Sequence, residues 1–258
     1  MDVSAAGQRV LVTAGAAGIG LAIARTFAAH GARVHICDVD AASLAAAKQE
    51  LPAVTQTVAD VGKPADVDRL FADAVRELGG LDVLVNNAGI AGPTGLVEEV
   101  GIEDWQRCID VDLNGMFYCT RLAMPLIKRS GGGSIINMSS VAGRLGFARR
   151  TAYASAKWAV VGFTKSVAIE GGPHQVRVNC IQPGSVEGDR IERVIASKAE
   201  ALGIGRDEMR ARLLEGTSLG TFVSAQDIAN MALFLATDAG RHITGQAISV
   251  CGDVRYAV

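Results

Sequence analysis

Aromatic side chains are scarce: Phe, Tyr and Trp make up 5% of the 258 residues. That scarcity argues against a broad, ring-lined pocket for a steroid-sized ligand. An excess of one charge is missing too. Twenty-five bases against 27 acids give a formal net charge of −2, without the basic surplus that a nucleic-acid surface needs. No stretch of roughly 18 or more apolar residues occurs, so no membrane span is expected. Met1-Asp2-Val3-Ser4 carries an acid where an export signal carries bases. The cytoplasm is the expected location. Cys37, Cys108, Cys119, Cys180 and Cys251 are scattered, odd in number and without a C-x-x-C pair. They read as buried thiols of a reducing compartment, and no metal site is expected. Six dispersed prolines leave no Pro-rich linker.

What remains is an apolar chain, 49% hydrophobic and 20% charged, of a length that suits one large α/β domain. Short apolar runs alternate with helical patterns. Arg9–Ala14, Arg33–Cys37, Ala53–Val58, Asp82–Asn86, Ser134–Ser139, Val176–Ile181 and Ala247–Val250 read as strands. Their sparse alternation suits parallel strands covered on both faces. Between the first two, Ile19, Ala22, Ile23, Thr26 and Phe27 repeat at helical spacing, and Gly31 sits where a left-handed cap belongs. Ser224 and Asp227 form a capping box before Ile228, Met231 and Leu235. Seven strands with intervening helices predict a doubly wound parallel sheet, a Rossmann fold. The segment 187–216 mixes seven acids with six bases. It reads as a helical lid inserted over the strand ends.

The first strand runs into Thr13-Ala14-Gly15-Ala16-Ala17-Gly18-Ile19-Gly20. Glycines at Gly15, Gly18 and Gly20 let backbone N–H groups approach a pyrophosphate at a helix N-terminus. The bland alternative is a turn that merely needs glycine. Eighteen residues after Gly20, the second strand ends at Asp38, where a carboxylate can bind the adenosine ribose hydroxyls. It would also repel the extra phosphate of NADP. Two charges ~4 Å from it cost roughly 2 to 8 kcal/mol at effective dielectrics of about 80 to 20. No base stands at Ala16, Ala17 or Val39. Asp38 could instead cap the helix at 41–50. NAD is the cofactor expected.

Tyr153-Ala154-Ser155-Ala156-Lys157 spells Y-x-x-x-K, thirteen residues after Ser140. Four residues apart on a helix, Tyr153 and Lys157 share a face. An ammonium ~4 Å from a phenolate at an effective dielectric of ~20 is worth about 4 kcal/mol, favouring the form that takes a proton from an alcohol. Ser140 would donate a hydrogen bond to the reacting oxygen. Alone, Y-x-x-x-K carries little. It stands here with the Gly-rich turn, Asn86-Asn87-Ala88-Gly89, Asn114, Ser140 and Pro183-Gly184, in that order. On these motifs the whole chain resembles the short-chain dehydrogenase/reductase family.

The resemblance implies Tyr153 as general acid/base, Lys157 as its activator and ribose anchor, and Ser140 as polariser. It implies Asn114 as the residue that opens a helix for a proton-relay water. Asn87, Ala88 and Gly89 would form a cofactor-side turn and Asp60-Val61 the adenine contact. Val186, beyond Pro183-Gly184, would meet the nicotinamide amide. Two departures stand out: Ala14 where the family usually has glycine, and Gly188 where it often has threonine. The missing threonine contact could pass to Ser185.

Candidate substrate walls are Ala91, Gly92, Ala142, Arg150, Ser185 and Val186. Arg149 and Arg150 precede Tyr153, an unusual place for two cations beside a purely apolar substrate. A guanidinium suits a carboxylate, though a solvated or subunit-pairing role is equally open, as for Arg144. The expected activity is NAD-linked oxidation of a small polyol, sugar or hydroxy acid. Alternatives are a carrier-bound 3-oxoacyl reductase, or a dinucleotide-sensing protein without turnover. A dimer or tetramer through the helices of Asn114 and Tyr153 is the implied assembly.

Overall fold

Arg9–Thr13 (β1) alternates its side chains between two apolar layers: Val10 and Val12 enter one, Leu11 the other. The computed structural model repeats this arrangement across seven parallel strands and describes residues 3–256. Met1 and Asp2, part of the export argument, lie outside that range. The other strands are Arg33–Asp38 (β2), Thr55–Val58 (β3), Val83–Asn86 (β4), Gly133–Met138 (β5), Val176–Pro183 (β6) and Ala247–Val250 (β7). All seven expected strands are present, with ends shifted by up to two residues.

The strand order is β3-β2-β1-β4-β5-β6-β7. After β3 the chain crosses back to the far side of β1, so order reverses between β1 and β4. Loops leaving the carboxyl ends diverge there and open a crevice. One face is covered by Gly18–Ala29 (α1), Ala41–Glu50 (α2) and Ala225–Ala236 (α9). The other carries Pro64–Leu78 (α3), Gly115–Arg129 (α5) and Thr151–Gly171 (α6). Gly31 adopts φ +85° just past α1, and the Ser224–Asp227 capping box forms.

The segment 187–216 folds as two helices, Asp189–Leu202 (α7) and Arg206–Glu215 (α8). Ile191, Ile195, Ala199 and Met209 give them a small core of their own. Between Ile102–Ile109 (α4) and α5, residues 110–114 form one wide π turn. Such single-turn widenings are rare and cluster at functional sites.

Candidate active site

The Gly-rich turn is built from collisions avoided. A Cβ on Gly15 would come within 2.7 Å of the Ile36 side chain, and one on Gly20 would strike the Ala14 carbonyl. Gly18 adopts φ +53° and faces open space. Ala14 keeps the turn by adopting φ +49°, a left-handed conformation that costs a residue with a Cβ about 1 to 2 kcal/mol. Asn87 holds it there, its Nδ2 donating to the carbonyls of Thr13 and Ala14 at 3.0 Å. The N–H groups of Asn87 and Ala88 donate to Thr13 Oγ1 at 3.0 Å. Ile19 is half-buried against the core. No side chain caps α1 at Ala17, so its first-turn donors remain for an anion.

Asp38, at the end of β2, bounds the adjoining cleft with Ala14, Asp60, Val61, Ala88 and Gly89. Its Oδ2 accepts from Ala16 N–H at 3.4 Å, tying it to the phosphate turn. The alternative of Asp38 as helix cap is corrected: Asp40 caps α2, accepting from Ala42 N–H at 2.9 Å. Asp60 is committed on the cleft wall, with Arg107 at 3.0 Å and Gly62 N–H at 3.0 Å. Glycines that forbid a Cβ, free helix donors and a ribose-height carboxylate suit a dinucleotide.

Tyr153 and Lys157 lie one turn apart on α6. Lys157 is buried; its Nζ donates to Met138 O at 3.1 Å and lies 3.3 Å from Asp112 Oδ2. Ser139 Oγ donates to Lys157 O at 2.8 Å, pinning α6 to the end of β5. A Cβ on Gly89 would sit 3.2 Å from Lys157 Nζ, so the cofactor-side turn and the lysine abut. Ser140 Oγ accepts from Ala142 N–H at 3.2 Å, which leaves its proton free to donate. Three cations surround the Tyr153 ring: Arg150 Cζ at 4.8 Å, Lys157 Nζ at 5.5 Å and Arg190 Cζ at 5.9 Å from its centre.

Beyond β6, Pro183 pairs with Val250, and Gly184 packs so closely on Cys251 that a Cβ would come within 2.8 Å of its Cα. Ser185 O accepts from Val223 N–H at 3.0 Å, and Val186 bridges to Val223. This pins the strand exit before α7. Gly188 adopts φ +125°, a conformation for glycine, so the family's threonine would be strained there.

Asn114 closes the widened turn, its carboxamide donating to Asp110 Oδ1 at 2.8 Å. The side chain that turn delivers to Lys157 is Asp112, fully buried, whose Oδ1 also accepts from Ile90 N–H at 2.7 Å. An acid between Val111 and Leu113 was the available signal for it. Ala142 is fully buried, so it lines no open wall and serves through its N–H. The two neighbouring arginines separate: Arg149 is exposed at φ +61°, whereas Arg150 is 6% exposed beside Tyr153. Arg144 donates to Val254 O at 2.7 Å, holding the carboxyl-terminal segment.

The five cysteines are free and buried. Burial pushes the thiols of Cys37 up to about 12 and of Cys108 and Cys180 up to about 11, far from a nucleophilic thiolate. Among the described residues no cluster of three or more His, Cys, Asp or Glu could hold a metal ion, and no helix is long and apolar enough to cross a membrane.

Residues 14–253 match the family described as enoyl-(acyl carrier protein) reductase. The chain is 36% identical to the L-fucose dehydrogenase of Mus musculus over 95% of its own length and 88% of that protein's. It is 38% identical to the trans-4-hydroxycyclohexanecarboxylate dehydrogenase of Sinomonas cyclohexanicum, over 95% and 92%. The crystal structure of an actinorhodin polyketide ketoreductase with NADPH superposes with a TM-score of 0.92 at 30% identity, over 96% and 97% of the two chains. With the seven-stranded order and the Ser–Tyr–Lys arrangement, these likenesses identify the chain as a member of the short-chain dehydrogenase/reductase family, an oxidoreductase of CH–OH groups that uses a nicotinamide cofactor.

Proposed function

We propose that this chain is an NAD-dependent dehydrogenase that interconverts a small secondary alcohol and its ketone. The alcohol is a polyol, sugar or hydroxy acid. One observation carries the reading: the buried Lys157, beside Tyr153 on α6, abuts Gly89 on the edge of the cleft that Asp38 bounds.

A bound nicotinamide would supply the acceptor for the carbinol hydrogen and its electron pair. The chain does the rest. Tyr153 accepts the hydroxyl proton as the C=O bond forms. Ser140, its acceptor capacity engaged by Ala142 N–H, donates to the reacting oxygen. Lys157, Arg150 and Arg190 place three positive charges around the Tyr153 ring. Asp112 and Met138 O fix the Lys157 ammonium in place. Gly15, Gly18 and Gly20 would hold the pyrophosphate, Asp38 the adenosine ribose, and Val61 the adenine. Asn87 and Val186 orient the nicotinamide end.

NAD is favoured because the cleft's nearby cation, Arg107, is already paired with Asp60, leaving Asp38 uncompensated towards a ribose phosphate. The relatives' names, a fucose and a hydroxycyclohexanecarboxylate dehydrogenase, support a small hydroxylated substrate. The protein works in the cytoplasm as a single-domain subunit of a dimer or tetramer, with α7 and α8 as its lid.

The test follows reduced nicotinamide by absorbance across polyols, aldoses and hydroxy acids with NAD and with NADP. Turnover of at least one class with NAD is expected. Tyr153→Phe should then lose at least ~100-fold in turnover while binding cofactor normally. No turnover with either cofactor would leave a dinucleotide-sensing protein. A fully active Phe variant would remove Tyr153 from its role.

A further inference from the structure

Arg150 is the least expected side chain in the site. It is 6% exposed, at the first residue before α6, and it lies against the ring of Tyr153. Its Nη2 donates to Ala91 O at 2.6 Å, while its buried Nε finds no acceptor. Among the described residues no carboxylate stands within ion-pair distance of it. The nearest buried acid, Asp112, is taken by Lys157. An ionised side chain withdrawn from water without a partner costs several kcal/mol.

Its neighbour makes the cost larger. Arg190 of α7 lies over the same ring and donates to Gly89 O at 3.3 Å. Burial lowers the pKa of the Arg150 guanidinium; Tyr153 opposes this, and the charge of Arg190 adds to it. Arg150 and Arg190 both lie over the ring of the reacting tyrosine, and the buried Arg150 Nε has no acceptor.

We propose that the substrate is a short hydroxy acid whose carboxylate is held by Arg150, with Arg190 of α7 supplying a second positive charge beside it. This rests on the dehydrogenase reading above and narrows its substrate class. The guanidinium stacks on the ring whose hydroxyl does the chemistry. A molecule touching both has its carboxylate only one or two carbons from the carbinol. The carbinol loses its C–H hydrogen with the electron pair to the bound NAD and its O–H proton to Tyr153. The carboxylate passes through unchanged, giving an oxo acid.

The test compares 2-hydroxybutyrate and 3-hydroxybutyrate with their amides, alongside neutral polyols, under NAD. The unmodified enzyme should prefer an acid over its amide by about ten- to a hundredfold in kcat/KM, the worth of a charge-assisted contact. Arg150→Met should lose about that factor more on the acid than on the amide, mostly in KM. Arg190→Gln, at an exposed position, should erode the preference by about two- to fivefold, and decides the matter if Arg150→Met does not fold. Equal losses on acid and amide would overturn the proposal. So would polyol oxidation with no activity on the acids, which leaves the dehydrogenase reading standing. Inactivity on every alcohol would instead sink that reading itself, and the proposal with it.

Discussion

Single atoms decide cofactor choice. Asp38 sits where β2 meets the phosphate turn, its carboxylate within 3.4 Å of Ala16 N–H. A second phosphate on the ribose would meet that charge, and Arg107, the base lining the cleft, is already paired with Asp60. We expect NAD to bind at least ~30-fold more tightly than NADP, about 2 kcal/mol at the weak end of the Coulomb range. Asp38→Ala should narrow the gap from both sides, weakening NAD and relieving NADP. Calorimetric titration reads both affinities; equality in the unmodified protein would defeat the argument. At this scale the sequence was legible where a motif has fixed spacing: Gly15, Gly20, Ser140, Tyr153 and Lys157 all fall where their pattern predicts. Asp112 escaped because its local signal, an acid between Val111 and Leu113, does not tell what it meets, and nothing local marks Arg190. Asp112 reaches Lys157 only through a widened turn, and Arg190 reaches Tyr153 only after α7 folds over the strand ends. Both depend on contacts made across distant parts of the chain.

Strands and helices were easier to read than their joints, since apolar period and caps are local. The register between strands is not local, and it produces a further consequence. Pairing of β2 with β3 sets His35 opposite Thr55, with Nδ1 2.8 Å from Thr55 Oγ1 and Nε2 3.1 Å from Thr57 Oγ1. Burial drives the imidazole down to about 4, outweighing the pull of Asp73 and Glu77, while Arg76 adds to the fall. The folded form therefore holds His35 neutral where the unfolded chain, at about 6.5, takes up a proton. Stability from this group is complete above pH ~6.5 and is lost as pH falls towards ~4, by up to roughly 3 kcal/mol. Asp73, held low by Arg76 and Thr57, contributes its loss only at more acidic pH. Urea unfolding between pH 7 and 4.5 should show the decline, and His35→Gln should flatten it. An unchanged slope in that variant would place the acid sensitivity elsewhere.

At the scale of the molecule, the sheet explains the site but leaves apolar surface outside it. Phe117 on α5 is 48% exposed, and Trp158 and Ile169 on α6 are 52% and 78% exposed. Both helices bury their other faces in the core layer below the sheet, while these side chains keep about half or more of their surface exposed, even with Trp158 Nε1 donating to Leu145 O at 3.4 Å. Fully burying one such side chain contributes about 1.5 to 3 kcal/mol, and in a twofold assembly each counts twice. The same helices carry Tyr153, Lys157 and the exit of the π turn, so their packing against a second copy would brace the catalytic groups. We expect the protein to sediment as a dimer or tetramer at micromolar concentration. Phe117→Arg combined with Ile169→Glu should shift it towards monomer, and turnover should fall with the loss of assembly because α6 is then less firmly held. Sedimentation of both forms over a concentration series is the measurement. A monomeric unmodified protein would refute the assembly, and a monomeric, fully active double variant would show that α6 needs no partner to hold Tyr153 in place.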